Sequence, residues 1–142
     1  MDIFNLRKKK IFVIGGSGLI GVDICNLLKL LGATVYNLDI KNSSELKLSI
    51  NFLKFDISKE KFIEKKIKSF FKIYGTPDCM INCSYPAKKS WYFSDFKSVK
   101  KKTINENINY HLNSYIWIAR IFAEQMRKKK VKGSIIQFSS HY

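Results

Sequence analysis

Hydrophobic and polar positions alternate between two rhythms along the chain. Residues 8–16, KKKIFVIGG, form a short run of β-branched and aromatic residues ended by glycine, the pattern of a buried strand. From Leu19 to Leu31 the apolar positions Ile20, Ile24, Leu27, Leu28 and Leu31 fall at helical spacing, and Asp23, Asn26 and Lys29 lie off that face. Gly32 is a helix stop, and ATVYNLDI then gives a second strand that carries Tyr36 on the side of the glycine turn. NFLKFDIS reads as a third strand, ending at Asp56. Ser58 caps the next helix, which runs to about Phe71 before Gly75-Thr76-Pro77 breaks it. DCMINCSY is a fourth strand, followed by a loop over 86–95. A long helix is expected over about 96–130. One stripe on it runs Ile104, Ile108, Leu112, Tyr115, Ala119, Phe122 and Met126, and a second runs Tyr110, Trp117 and Ile121. One stripe can face a sheet, and a second is suited to a partner helix or to cover within the monomer. Gly133 stops the helix, and SIIQFSS is a fifth strand.

Strands alternating with helices imply βαβ units and a parallel sheet. Right-handed crossovers favour an α/β fold with a Rossmann-type doubly wound sheet, strand order 3-2-1-4-5. Its 142 residues fit one domain, and there is no solenoid-period repeat and no linker.

Composition changes this picture in one respect. The net charge is +15, from 26 basic and 11 acidic residues, which raises nucleic acid or an anionic membrane as partners. Arginine, the residue suited to bidentate phosphate and base contacts, occupies only positions 7, 120 and 127. Lysines spread through an Ile-, Asn- and Phe-rich chain read more simply as a compositional bias, so neither nucleic acid nor membrane is the expected partner. The basic N-terminus before an apolar run has the look of a signal peptide, but glycines and Asp23 interrupt it, and no stretch reaches the ~20 apolar residues of a membrane span. Cys25, Cys79 and Cys83 show no metal-ligand spacing. On one strand Cys79 and Cys83 would stand roughly 13 Å apart, too far for a disulfide. A reduced, soluble, cytoplasmic protein is the expectation.

The candidate chemistry starts at GGSGLIG, residues 15–21. Gly15, Gly18 and Gly21 sit between a strand and a helix: the first for a sharp turn, the second for close approach of a pyrophosphate, the third for helix–strand packing. The helix N-terminus adds free N–H groups and the positive end of a dipole. A tight turn without a ligand is the plainer alternative. A dinucleotide also needs an acidic residue about 20 positions on, and Asp39 stands there, with a strand-end aspartate that makes a turn as the plainer alternative. A carboxylate repels a 2′-phosphate, which favours NAD. Lys41 weakens the preference, so NADP stays open.

On these residues the chain resembles the short-chain dehydrogenase/reductase family. VIGGSGLIG is similar to its cofactor turn, FDIS at 55–58 to its adenine-side Asp-Val/Ile-Ser/Thr element, and INCSYP at 81–86 to its Asn-Asn-Ala-Gly strand end. GSIIQFSS at 133–140 looks like the strand bearing the family's catalytic serine, which falls on Ser140. The resemblance implies a cofactor set of Gly15, Ser17, Gly18, Leu19, Ile20 and Gly21, then Asp39 and Ile40, Asp56 and Ile57, and Asn82, Cys83 and Ser84. Cys83, Ser84 and Tyr85 depart from the common form. NCSYP and the segment around NINYHLN further resemble oxidoreductases of flagellin glycan and nonulosonic acid synthesis. There His111 takes the place of a helix asparagine that acts through its main-chain carbonyl. His111 is equally readable as an ordinary helix residue.

The family also uses a Tyr-x-x-x-Lys pair more than ten residues beyond the serine, the lysine lowering the tyrosine pKa. No such pair follows Ser140 in these 142 residues. The expectation is therefore the cofactor-binding half of a dehydrogenase, truncated after strand 5, with an exposed apolar edge that favours self-association. Three functions compete: an NAD(P)-dependent oxidoreductase acting on a carbonyl or alcohol, with a sugar or nucleotide-sugar as the expected substrate; a non-catalytic NAD-binding regulatory module; and a basic nucleic-acid-binding protein. The partners expected are a small-molecule substrate and a second copy of the chain, packed through the 103–130 helix.

Overall fold

The computed structural model describes residues 5–47, 49–88, 91 and 95–138. Strands β1 (Lys10–Ile14), β2 (Thr34–Asp39), β3 (Asn51–Lys54), β4 (Cys79–Asn82) and β5 (Ser134–Gln137) form one sheet in the order β3-β2-β1-β4-β5. Every neighbouring pair is parallel. This is the doubly wound order expected from the alternation of elements, and β1 at its centre is covered on both faces.

Alternate residues of β1 go to opposite sides, as the strand pleat requires. Phe12 and Ile14 face α2 (Glu60–Tyr74) and α4 (Ser114–Lys128). Their core is aromatic: the Phe122 ring meets Phe71 edge-on at 5.0 Å and Phe12 at 6.0 Å. Ile11 and Val13 face α1 (Leu19–Leu30) in a core of smaller residues, among them Cys25, Ala33 and Val35. The small side chains let α1 come close to the sheet, which fixes the position of its N-terminus.

Three expectations change here. The segment after the fourth strand does not begin its helix at 96. It forms α3 (Lys101–Ile108), a π-helical turn over Asn109–Asn113, and then α4. A π turn holds more residues than an α turn, so it breaks the register of the apolar stripe. Ile104, Ile108 and Leu112 before and within it are exposed, while Ile118, Ile121, Phe122 and Met126 beyond it are buried. Ile116 and Trp117 on α4 also stay exposed, so only part of α4 is covered, and Ile121 of the second stripe joins the core. Ser58 does not cap α2. Its hydroxyl donates to Asp56 Oδ1 at 2.6 Å, and Lys59 is the N-cap without a side-chain bond. The helix runs on to Tyr74, where Gly75 with φ +80° ends it. Tyr36 packs on Phe12 and Tyr74 in the aromatic core and not in the glycine-turn cavity.

Candidate cofactor site

The C-terminal ends of β1, β2, β3 and β4 open onto a cavity of about 620 Å³, within the range of small-molecule sites. It lies at the switch point of the strand order, where the crossovers diverge. Gly15, Ser17, Gly18, Leu19, Ile20, Asp39, Ile40, Asp56, Ile57, Cys83 and Ser84 all line it. Gly21 and Asn82 do not. Both are buried and act as supports. Ser140 lies outside the described residues.

The turn after β1 depends on absent side chains. Gly15 has φ +78°, and a Cβ there would lie 2.5 Å from Ser84 Cα. A Cβ on Gly21 would lie 2.1 Å from the Gly15 carbonyl oxygen and 2.6 Å from Gly16 Cα. These are backbone obstacles, so neither position accepts a side chain without moving the turn. Gly18 differs. A Cβ there meets one neighbour, the Gly15 oxygen at 3.3 Å, and is otherwise in open space. Gly18 is also the N-cap of α1, and it provides no side-chain cap. The first N–H groups of α1 thus face a cavity through a gap where a larger residue would project. That is a cradle for an anion.

Asp39 holds this turn from the next strand. Its Oδ2 accepts the Ser17 N–H at 3.0 Å, and its Oδ1 accepts its neighbour Ile40 N–H at 2.7 Å. Each carboxylate oxygen keeps lone-pair capacity for a further donor. Asn37, which the sequence reading passed over, lies fully buried beneath the turn and donates to Ser17 Oγ at 2.8 Å. A polar residue in the middle of the apolar strand VYNLD was its only signal. Asp56 closes the far side through a local turn, accepting the Ser58 N–H at 2.9 Å.

The segment after β4 is built from side chains. Asn82 Oδ1 accepts the Ser84 hydroxyl at 2.7 Å and its N–H at 3.2 Å, while Asn82 Nδ2 donates across to Gln137 Oε1 on β5 at 3.3 Å. The Tyr115 hydroxyl on α4 donates to the Ser84 carbonyl. Cys83 Sγ lies 3.3 Å from the Ile14 carbonyl. Burial and the Asp39 carboxylate push the Cys83 thiol up to about 11, so it stays protonated. Cys25, under the turn, is pushed to about 12, mainly by burial.

His111 does not line the cavity. It sits in the π turn, its ring 4.7 Å from that of Tyr85 and 6.1 Å from that of Tyr115. Burial lowers its pKa, partly opposed by the Pro86 backbone carbonyl, which favours the neutral imidazole. Tyr85, Lys88 and Tyr110 line the cavity at this end, and Lys88 is paired with Glu106 at 2.9 Å. No group of three metal-ligating side chains occurs among the described residues.

The arrangement has relatives. Post-translational flagellin modification protein A of Campylobacter coli is 28% identical over 145 residues, 95% of this chain and 56% of that protein. A short chain dehydrogenase from Leptospira borgpetersenii serovar Hardjo-bovis, crystallised with bound NAD+, matches with a TM-score of 0.81 at 25% identity, over 94% of this chain and 52% of that one. At 20% identity, 4-hydroxyisoleucine dehydrogenase complexed with NADH shares the fold, with a TM-score of 0.79 over 94% of this chain and 56% of its own. The chain therefore spans about half the length of these relatives. A family model described as short chain dehydrogenase matches residues 9–142. With the glycine turn, the strand-end carboxylates and the strand order in place, this chain belongs to the short-chain dehydrogenase family.

Proposed function

We propose that this chain is the dinucleotide-binding part of an oxidoreductase that exchanges a hydride between a nicotinamide cofactor and a carbonyl or alcohol. One observation carries the reading: an uncapped helix N-terminus, an open glycine face and two strand-end aspartates share one cavity. The N–H groups at Leu19 and Ile20 would hold the pyrophosphate. The free lone pairs of Asp39 would accept ribose hydroxyls, and Asp56 and Ile57 would flank the adenine. When bound, the nicotinamide supplies the hydride chemistry. The chain's own residues bind and orient it.

Asp39 favours NAD, with Lys41 on the cavity wall to moderate the preference. The π turn supports a main-chain role for His111, because such turns lift carbonyls out of the regular ladder. We assign Ser140 the orientation of the substrate oxygen, and a sugar or nucleotide-sugar as the substrate. Exposed Ile104, Ile108, Leu112 and Ile116 support pairing of two copies through the 103–130 segment. Three unlinked cysteines are in keeping with a reducing compartment such as the cytoplasm.

Competitive titration of NAD and NADP tests this assignment. NAD should bind more tightly, and Asp39→Ala, which also removes the Ser17 N–H bond from the shared turn, should weaken NAD about tenfold more than it weakens NADP, the loss of one charge-assisted ribose contact. Equal response of the two cofactors to Asp39→Ala would overturn the assignment.

A further inference from the structure

Because all five strands run the same way, their starts share the edge of the sheet opposite the cavity with the C-terminal ends of α1, α2 and α4. The tetrapeptide RKKK occurs twice in the chain, at 7–10 and at 127–130. The fold brings both copies to this edge. The first leads into β1, and the second ends α4, with Lys132 following just before β5. Asp78 joins them: its N–H donates to the Lys10 carbonyl at 2.8 Å, and its carbonyl accepts the Ser134 N–H at 3.0 Å. The acids beside the two runs are already engaged, Asp78 by Lys9 at 3.6 Å and Glu124 by Arg127 at 3.2 Å.

Part of this charge complements helix ends, since Lys10 Nζ donates to the Tyr74 carbonyl that closes α2. Arg127 and Lys128, in the last turn of α4, complement that helix in the same way, which leaves the exposed Lys8, Lys129 and Lys130. Two of these hold backbone that suits glycine: Lys8 has φ +65° and Lys130 has φ +56°. Lysine therefore stands at both positions against the local conformational preference. Two exposed apolar residues stand at helix ends on this edge, Leu30 at the end of α1 (74% exposed) and Ile73 in the last turn of α2 (68% exposed).

We propose that this edge is a docking surface for an anionic lipid membrane, on which the domain lies with its cofactor cavity turned to the solvent. Lysines attract an anionic surface from within a Debye length, and exposed Leu30 and Ile73 gain by entering the headgroup–acyl boundary. A nucleic acid would reward arginine forks and stacking aromatics, and would offer those two side chains nothing. No described helix is long and apolar enough to cross a membrane.

Co-sedimentation of the chain with phosphatidylcholine vesicles, with and without phosphatidylglycerol, tests the proposal. Binding should require phosphatidylglycerol and fall at high salt. Charge reversal at Lys128, Lys129 and Lys132 should weaken it about tenfold or more, whereas the same reversal at Lys100, Lys101 and Lys102, before and within the start of α3, should have less than a third of that effect. Leu30→Asn with Ile73→Asn should weaken binding at unchanged charge. Lys8→Gly with Lys130→Gly should weaken it while raising the melting temperature, which separates docking from loss of fold. Equal losses from the two charge-reversal sets would overturn the proposal. So would absence of pelleting, or tighter binding to duplex DNA that ignores Leu30 and Ile73.

Discussion

The two chain segments that meet over the cavity are made in opposite ways. The turn after β1 works because side chains are missing: Gly15 gives way to Ser84, and Gly21 lets α1 seat against the Gly15 carbonyl. The segment after β4 works because side chains are present: Asn82 ties Ser84 locally and Gln137 across the sheet, and Tyr115 reaches it from α4. A turn made of glycine exposes backbone N–H groups to a ligand. A turn tied by side chains keeps its shape without one. The site thus combines a face that can accept an anion with a wall that holds still.

Substitutions can break each half separately. The largest effect is expected at Gly21→Val. With backbone atoms 2.1 and 2.6 Å from the new Cβ, the turn must move, at a cost of about 3 kcal/mol or more in urea unfolding. Gly18→Ala is its control and should cost under about 1 kcal/mol, since a Cβ there meets only the Gly15 carbonyl oxygen, at 3.3 Å, which has to give slightly. Asn82→Ala comes next. It strips partners from Ser84 and Gln137 beside a buried strand end, and about 2 kcal/mol should be lost by the same assay. Tyr115→Phe removes one hydroxyl bond to the Ser84 carbonyl and should cost about 1 kcal/mol.

The smallest effect is a dependence on pH. His111 has its pKa lowered from 6.5 in the fold by burial, so the unfolded chain binds the proton first on acidification. Its contribution is complete above the unfolded value near 6.5 and is lost as pH falls toward the lower folded value. The urea midpoint of wild type should therefore fall relative to that of His111→Phe as pH is lowered through that window. A constant difference between them would contradict the assignment of a half-buried neutral imidazole.

The glycine half of this comparison was legible in the sequence and the side-chain half was not. Glycines at 15, 18 and 21 and a carboxylate at 39 act over short spans at element ends, where residue type and spacing carry the information. The strand order followed from the same local rhythm. Asn82 and Ser84 could be placed by resemblance, but their tie to Gln137 spans 55 positions and the Tyr115–Ser84 bond spans 31. No periodicity reports such contacts. The π turn escaped for a related reason. The spacing of Ile104, Ile108 and Leu112 continues smoothly into that of Tyr115 and Ala119, and only the packing of α4 reveals that a turn of different pitch lies between. Asn37 showed itself as one polar residue in an apolar strand, but its partner in the turn did not.

The central claim is that the bare N-terminus of α1 holds a dinucleotide pyrophosphate, and Gly18 is where it is most exposed. Titration of NAD against wild type and Gly18→Asp tests it directly. The aspartate Cβ would press only on the Gly15 carbonyl oxygen, at 3.3 Å, and its carboxylate would set a negative charge in the anion cradle, so NAD affinity should fall at least about a hundredfold, with the urea midpoint little changed. Equal affinity of the two proteins would contradict the account.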